Sequence, residues 1–203
     1  MALSKANKIV VGALTTGGVS GTGAYTYYEL TRPTIKDKLG ETLLSYESKD
    51  ADKWKTRSVT LSKDNGNLSK ELKKVKDGTD TDDSRIKGWC QTNINNKFTS
   101  DKDPIFLEVQ KYCTYNLKDK IEKTIDTSSW EASKHNKKLK GLQNNEGLSD
   151  EMKKIKAKLA DGAIGRDENA LKEWCKSSYE KPFKGEQDQD YLDTKEYCVS
   201  SDG

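Results

Sequence analysis

The stretch WCQTNINNKFTSDKDPIFLEVQKYC, residues 89–113, decides how this chain is built, because the chain writes it twice. Residues 174–198 read WCKSSYEKPFKGEQDQDYLDTKEYC. Trp89-Cys90 answers to Trp174-Cys175, and Tyr112-Cys113 to Tyr197-Cys198, with a Cys-to-Cys step of 23 residues in both. Between the cysteines, Phe98 matches Phe183, Asp103 matches Asp188, Phe106 matches Tyr191 and Leu107 matches Leu192, all at an offset of 85. The pair of stretches holds all 4 cysteines of the chain and, in Trp89 and Trp174, half of its 4 tryptophans.

Working outward, the correspondence continues. Thr34-Ile35-Lys36-Asp37-Lys38-Leu39 answers to Asn116-Leu117-Lys118-Asp119-Lys120-Ile121, and Trp54 to Trp130. The run from Leu68 to Lys76 answers to that from Leu148 to Lys156. The offsets drift through 82, 76 and 80 to 85, so length changes fall between blocks, where loops belong. The sequence predicts a tandem duplication, with helical repeats over 33–113 and 114–203.

Each block carries the helical period. Leu68, Leu72 and Val75 repeat at one face, as do Leu148, Met152, Ile155 and Leu159, flanked by lysine and glutamate. Ser69 and Ser149 are predicted N-caps, and Asp103-Pro104 reads as a cap followed by proline in the first turn. Gly78, Gly141, Gly147 and Gly162 mark helix ends or turns. No long alternating run of β-branched residues occurs. The predicted fold class is all-α: an N-terminal transmembrane helix, then two tandem helical bundles of three or four short helices each, both with a disulfide.

A unit of this size, low in apolar residues, is marginal without a staple. Closing a loop of 23 residues contributes about 3 kcal/mol. Four cysteines allow three pairings. Duplication favours Cys90 with Cys113 and Cys175 with Cys198, since a bond inside each copy would predate the copying.

Charge narrows the partners. The 36 basic and 33 acidic residues give a net charge of +3. They interleave, as in Lys36-Asp37-Lys38, which makes a solvated face rather than a phosphate-tracking stripe; no nucleic-acid partner is expected. The 1 histidine, His135, sits in a basic helical stretch and reads as a surface residue.

At the N-terminus, Lys5 and Lys8 precede an uncharged run from Ile9 to Tyr28, long enough as a helix to span a bilayer. Gly17 and Gly21 form a GxxxG pair, and Tyr25, Tyr27 and Tyr28 would lie at the far interface. The expectation is a signal-anchor within residues 1–32, single-pass in the cell membrane, with the body extracytoplasmic. A cleaved signal with Thr22-Gly23-Ala24 as the processing site, or a buried glycine-rich segment, are the competing readings. Either signal exports residues 33–203, which makes disulfides the better reading of the cysteines.

The chemistry-bearing patterns are few. The acidic run from Asp77 to Asp83 lacks the glycine and glutamate of a helix–loop–helix calcium loop, and Gly162, Gly165 and Arg166 are not followed by the residues of a phosphate loop. Asp and Glu abound, but nothing picks out a catalytic pair. Trp54, Trp89, Trp130 and Trp174 could form binding platforms; their matching across copies favours core anchors. No catalytic residue, metal site or cofactor is expected.

With the uncharged run Ile9–Tyr28, Trp89-Cys90, Trp174-Cys175 and Tyr112-Cys113-Thr114, the chain resembles the short paralogous proteins of haemotropic mycoplasmas, wall-less bacteria that attach to red blood cells. The resemblance covers nearly the whole chain. It implies a bacterial membrane protein, surface-exposed and host-facing, and it carries over no catalytic residue. The functional expectation is a membrane-anchored surface protein with an adhesive or antigenic role toward a host-cell protein or glycan. The alternatives are a surface hydrolase with an unidentified carboxylate site and a structural spacer that joins a membrane complex through Gly17 and Gly21.

Overall fold

The computed structural model describes residues 30–78 and 83–200. The chain divides into two compact units, Met1–Arg32 and Pro33–Gly203, and the fold below is that of the second. The proposed anchor, Ile9–Tyr28, lies outside the described residues. Among the described residues no helix is long and apolar enough to cross a membrane.

The described residues are helical, with short turns and isolated bridges and no extended strand. Copy one opens with α1, Ile35–Leu39. Thr34 caps it: the Asp37 N–H donates to Thr34 Oγ1 at 3.2 Å, and the Thr34 N–H donates to Asp37 Oδ2 at 2.8 Å. Gly40 stops the helix after five residues by adopting φ 50, a conformation that costs side-chain-bearing residues. Then come α2, Ala51–Lys63, α3, Lys70–Lys76, α4, Ser84–Asn93, and α5, Pro104–Tyr112. Ser69 caps α3 by accepting from the Leu72 N–H. Asp103 caps α5 by accepting from the Ile105 and Phe106 N–H groups, with Pro104 in the first turn.

Copy two repeats these devices. Asn116 and Asp119 form the same reciprocal box on α6, Leu117–Lys120. Two single-turn helices follow, α7, Ala132–His135, and α8, Lys137–Lys140. Ser149 caps α9, Asp150–Leu159, by accepting from the Met152 N–H. Then α10, Ala170–Tyr179, carries Trp174-Cys175, and α11, Gln189–Tyr197, is capped by Asp188. The helices are more numerous and shorter than the sequence suggested.

Backbone bonds show how closely the copies match. The Ile35 N–H donates to Asn96 O at 2.9 Å, and the Leu117 N–H to Lys181 O at 3.0 Å. The Leu44 N–H donates to Cys113 O, and the Ile125 N–H to Cys198 O, both at 2.9 Å. Tyr115 belongs to both patterns: its N–H donates to Thr42 O, and its carbonyl accepts from the Phe183 N–H, each at 2.8 Å. The two copies therefore follow one another along the chain without a linker, Tyr115 serving both.

The disulfides join Cys90 to Cys113 and Cys175 to Cys198. All four half-cystines are buried. Each ties the Trp-Cys helix to the end of the helix that follows it. Around the first, one continuous apolar cluster runs from Ile35 through Trp54, Leu72, Trp89 and Val109 to Tyr112. Around the second the apolar residues fall into two clusters. Leu139, Met152, Leu171 and Trp174 form the larger, while Leu117, Ile121 and Tyr191 form a separate one.

Candidate functional site

The four tryptophans do not share one environment. Trp54 is 0% exposed; its Nε1 donates to Ser45 O at 2.8 Å, and Tyr46 stacks on its ring at 5.3 Å. Burial pushes the Tyr46 hydroxyl up to about 12. Trp89 and Trp174 are buried on α4 and α10, beside the disulfides. Trp130 is half-buried, in extended backbone ahead of α7, and its ring lies 4.8 Å from that of His135. The His135 Nδ1 accepts from the Glu131 N–H at 3.0 Å, so this histidine closes a local turn. No platform gathers the four rings.

The carboxylates of copy one that line a cleft of about 330 Å³, Asp64 and Glu108, are both tied down. Glu108 accepts from the Ser69 N–H and hydroxyl and so holds the start of α3. Asp64 accepts from Lys111 Nζ, the Tyr112 hydroxyl and the Gly66 N–H, which together hold its carboxyl well below the usual carboxylate range. Burial, with the Asp64 carboxylate beside it, pushes the Tyr112 hydroxyl far up. A carboxyl so held is a poor proton donor or acceptor near neutrality. Asp50 is similar: burial pushes its carboxyl up, but Lys53, Tyr115 and the Ser45 N–H outweigh this and hold it low. These groups build turns and helix starts.

Arg57 is the buried cation of the fold. At 2% exposure, its Nη2 donates to Thr114 O at 3.1 Å and pairs with Asp119, the box residue of α6. It thereby fastens α2 of copy one to the first helix of copy two. Among the described residues no group of three His, Cys, Asp or Glu side chains converges as a metal site. Of the acidic run from Asp77 to Asp83, residues 79–82 lie outside the described residues.

The arrangement that differs between copies lies in the segment after the matched tryptophans. In copy one this is α2, one helix of 13 residues whose Trp54, Arg57 and Leu61 face inward. In copy two it breaks at Asn136 into α7 and α8. The backbone bonds set Leu44 against Ile125, and by that register Ala51 at the start of α2 answers to Ala132 at the start of α7 and Trp54 to His135. Ser133, Asn136, Lys137 and Lys140, at one helical face, line a cleft of about 460 Å³ with Leu159 and Glu168. Asn136 is 5% exposed; its Nδ2 donates to Glu168 O at 2.9 Å, which fixes the amide orientation, and its Oδ1 has no partner among the described residues. The indole Nε1 of Trp130 is likewise buried without a partner. Lys140 pairs with Asp161 at 2.8 Å, and Glu168 with Arg166. The sequence reading did not select these residues.

No family profile, curated protein or solved structure matches this chain.

Proposed function

We propose that this chain is a membrane-anchored binding protein of the extracytoplasmic face, host-facing and adhesive in role, of the kind its resemblance to haemotropic-mycoplasma surface proteins implies. The observation that carries the reading is the pair of buried disulfides at matching places in the two copies. Disulfides persist outside the reducing cytosol, and small units with little apolar content depend on them. The uncharged run Ile9–Tyr28 supplies the anchor in this reading, with Lys5 and Lys8 on the inside. The mixed-charge surface suits a body that stays soluble beside a membrane and meets partners through local patches rather than through one strong field.

Two experiments test it. Protease treatment of intact cells should remove the body beyond Pro33 and leave an N-terminal stub; protection of the whole chain would reject export. Purified full-length chain should bind red-cell membranes saturably. Absence of saturable binding would remove the adhesive role and leave export standing.

A further inference from the structure

We propose that the cleft between α7–α8 and α9 is a binding site for a small hydroxylated organic anion, such as a sugar acid. The inference goes beyond the surface role above and does not depend on where the body resides.

Three polar groups at one helical face carry it. Among the described residues no hydrogen bond or ion pair reaches the Ser133 hydroxyl or the Lys137 ammonium, and both residues are exposed along the cleft. Asn136, between them, is buried with its Oδ1 unpartnered. An unmet acceptor beneath a cleft asks for an O–H or N–H donor. The Nδ2 bond to Glu168 O rules out turning the amide round to meet the need from its other end. Lys137 asks for an anion, whereas Lys140 and Glu168 already have partners in Asp161 and Arg166, so one positive charge on this face is unbalanced. Leu159 supplies an apolar wall.

A ligand that satisfies all three must donate, accept and carry negative charge within one small frame. Its hydroxyl reaches the floor of the cleft and donates to Asn136 Oδ1 with the Nδ2 bond to Glu168 O kept, a neighbouring hydroxyl exchanges a bond with Ser133, and its carboxylate meets Lys137. The cleft, at about 460 Å³, is of a size that small-molecule sites commonly have.

The test titrates the full-length chain with glucuronate, glucose and acetate and follows amide resonances by NMR, including the Asn136 side-chain pair. Glucuronate should bind saturably, with shifts confined to residues 130–141, 159 and 168, and at least tenfold more tightly than glucose or acetate. Lys137→Gln should weaken glucuronate about tenfold while leaving glucose unchanged. Ser133→Ala, also at an exposed position, should weaken both sugars. Linear, non-saturating shifts, shifts that map elsewhere, or affinity indifferent to both substitutions would overturn the proposal. Equal affinity for glucose and glucuronate would overturn the anion requirement that Lys137 carries.

Discussion

Where α4 meets α5 in copy one, Val109 is fully buried and belongs to a continuous apolar cluster. At the same place between α10 and α11, copy two has Thr194, equally buried, with its hydroxyl 2.7 Å from that of Ser178 and donating to Asp190 O. The apolar residues around it divide into two clusters. Nearby, Tyr179 stands where copy one has Ile94, and its hydroxyl donates to the carbonyls of Ile125 and Cys198 at 3.0 and 2.7 Å. Burial pushes that hydroxyl up to about 12, so it stays a donor at all ordinary pH. One hairpin is closed by apolar packing and the other by directed hydrogen bonds, under the same disulfide. The difference teaches that staple and caps define this unit, while the filling between them is free to change. Where the filling changes most, after Trp130, a polar face opens.

The comparison can be broken most strongly at the tryptophans. Trp54→Ala should destabilise copy one by about 4 kcal/mol, since it empties a packed site and strands the Ser45 carbonyl. Trp130→Ala should cost less than half of that, as Trp130 is only partly buried and its indole Nε1 has no bond among the described residues to lose. Urea unfolding of the two variants measures the gap; equal losses would mean that Trp130 anchors a core as Trp54 does. Next in size are the staples. Replacing Cys90 and Cys113 together by alanine, or Cys175 and Cys198, should each cost about 3 kcal/mol, given loops of 23 residues. With its core in two clusters, copy two should be the one that loses protection first in hydrogen exchange after its staple is removed.

The hydroxyl pair gives a smaller and sharper test. Thr194→Val leaves the buried Ser178 hydroxyl without its partner and should cost about 1 to 2 kcal/mol. Adding Ser178→Ala should recover most of that loss, because no orphan then remains. A double variant as unstable as the single one would show that the pair does more than satisfy itself.

The smallest effect lies at the loop before α3. Lys76 Nζ donates to Asp64 O and Asn65 Oδ1, and Lys156 Nζ donates to Asn144 O and Asn145 Oδ1, so Asn144 stands where copy one has Asp64. The Asp64 carboxyl is held low by Lys111, Tyr112 and the Gly66 N–H. A lowered folded-state value means that its stabilisation is complete above the unfolded value, about 3.9, and is lost as pH falls below it. Acid unfolding between about pH 4 and 2 should therefore be shallower in Asp64→Asn than in the parent protein, while Asn144→Asp should change little there.

Much of the fold was legible because its signals are local. Ser69, Ser149 and Asp103-Pro104 cap the helices they were expected to cap, since a cap needs only the two or three residues that follow it. The disulfide pairing followed from the duplication, and the structure joins the same cysteines. The matching of Trp54 with Trp130 does not hold in the structure: Trp54 lies in the first turn of α2, whereas Trp130 precedes α7, and by the backbone register His135 stands at the place of Trp54. Nor did the helix carry over whole: its thirteen residues in copy one became two single turns in copy two.

By itself, then, the sequence determined the all-α character of the body, its two copies, the helix starts and the staples, because each rests on residues close in the chain or on a repeat visible in it. The tertiary structure decided the roles of Arg57, Glu108 and Asn136. Arg57 meets Asp119 across 62 residues, Glu108 meets Ser69 across 39, and Asn136 meets Glu168 across 32. Whether a polar side chain is core, cap or open site depends on which distant groups reach it once water is excluded, and composition and periodicity carry no record of that.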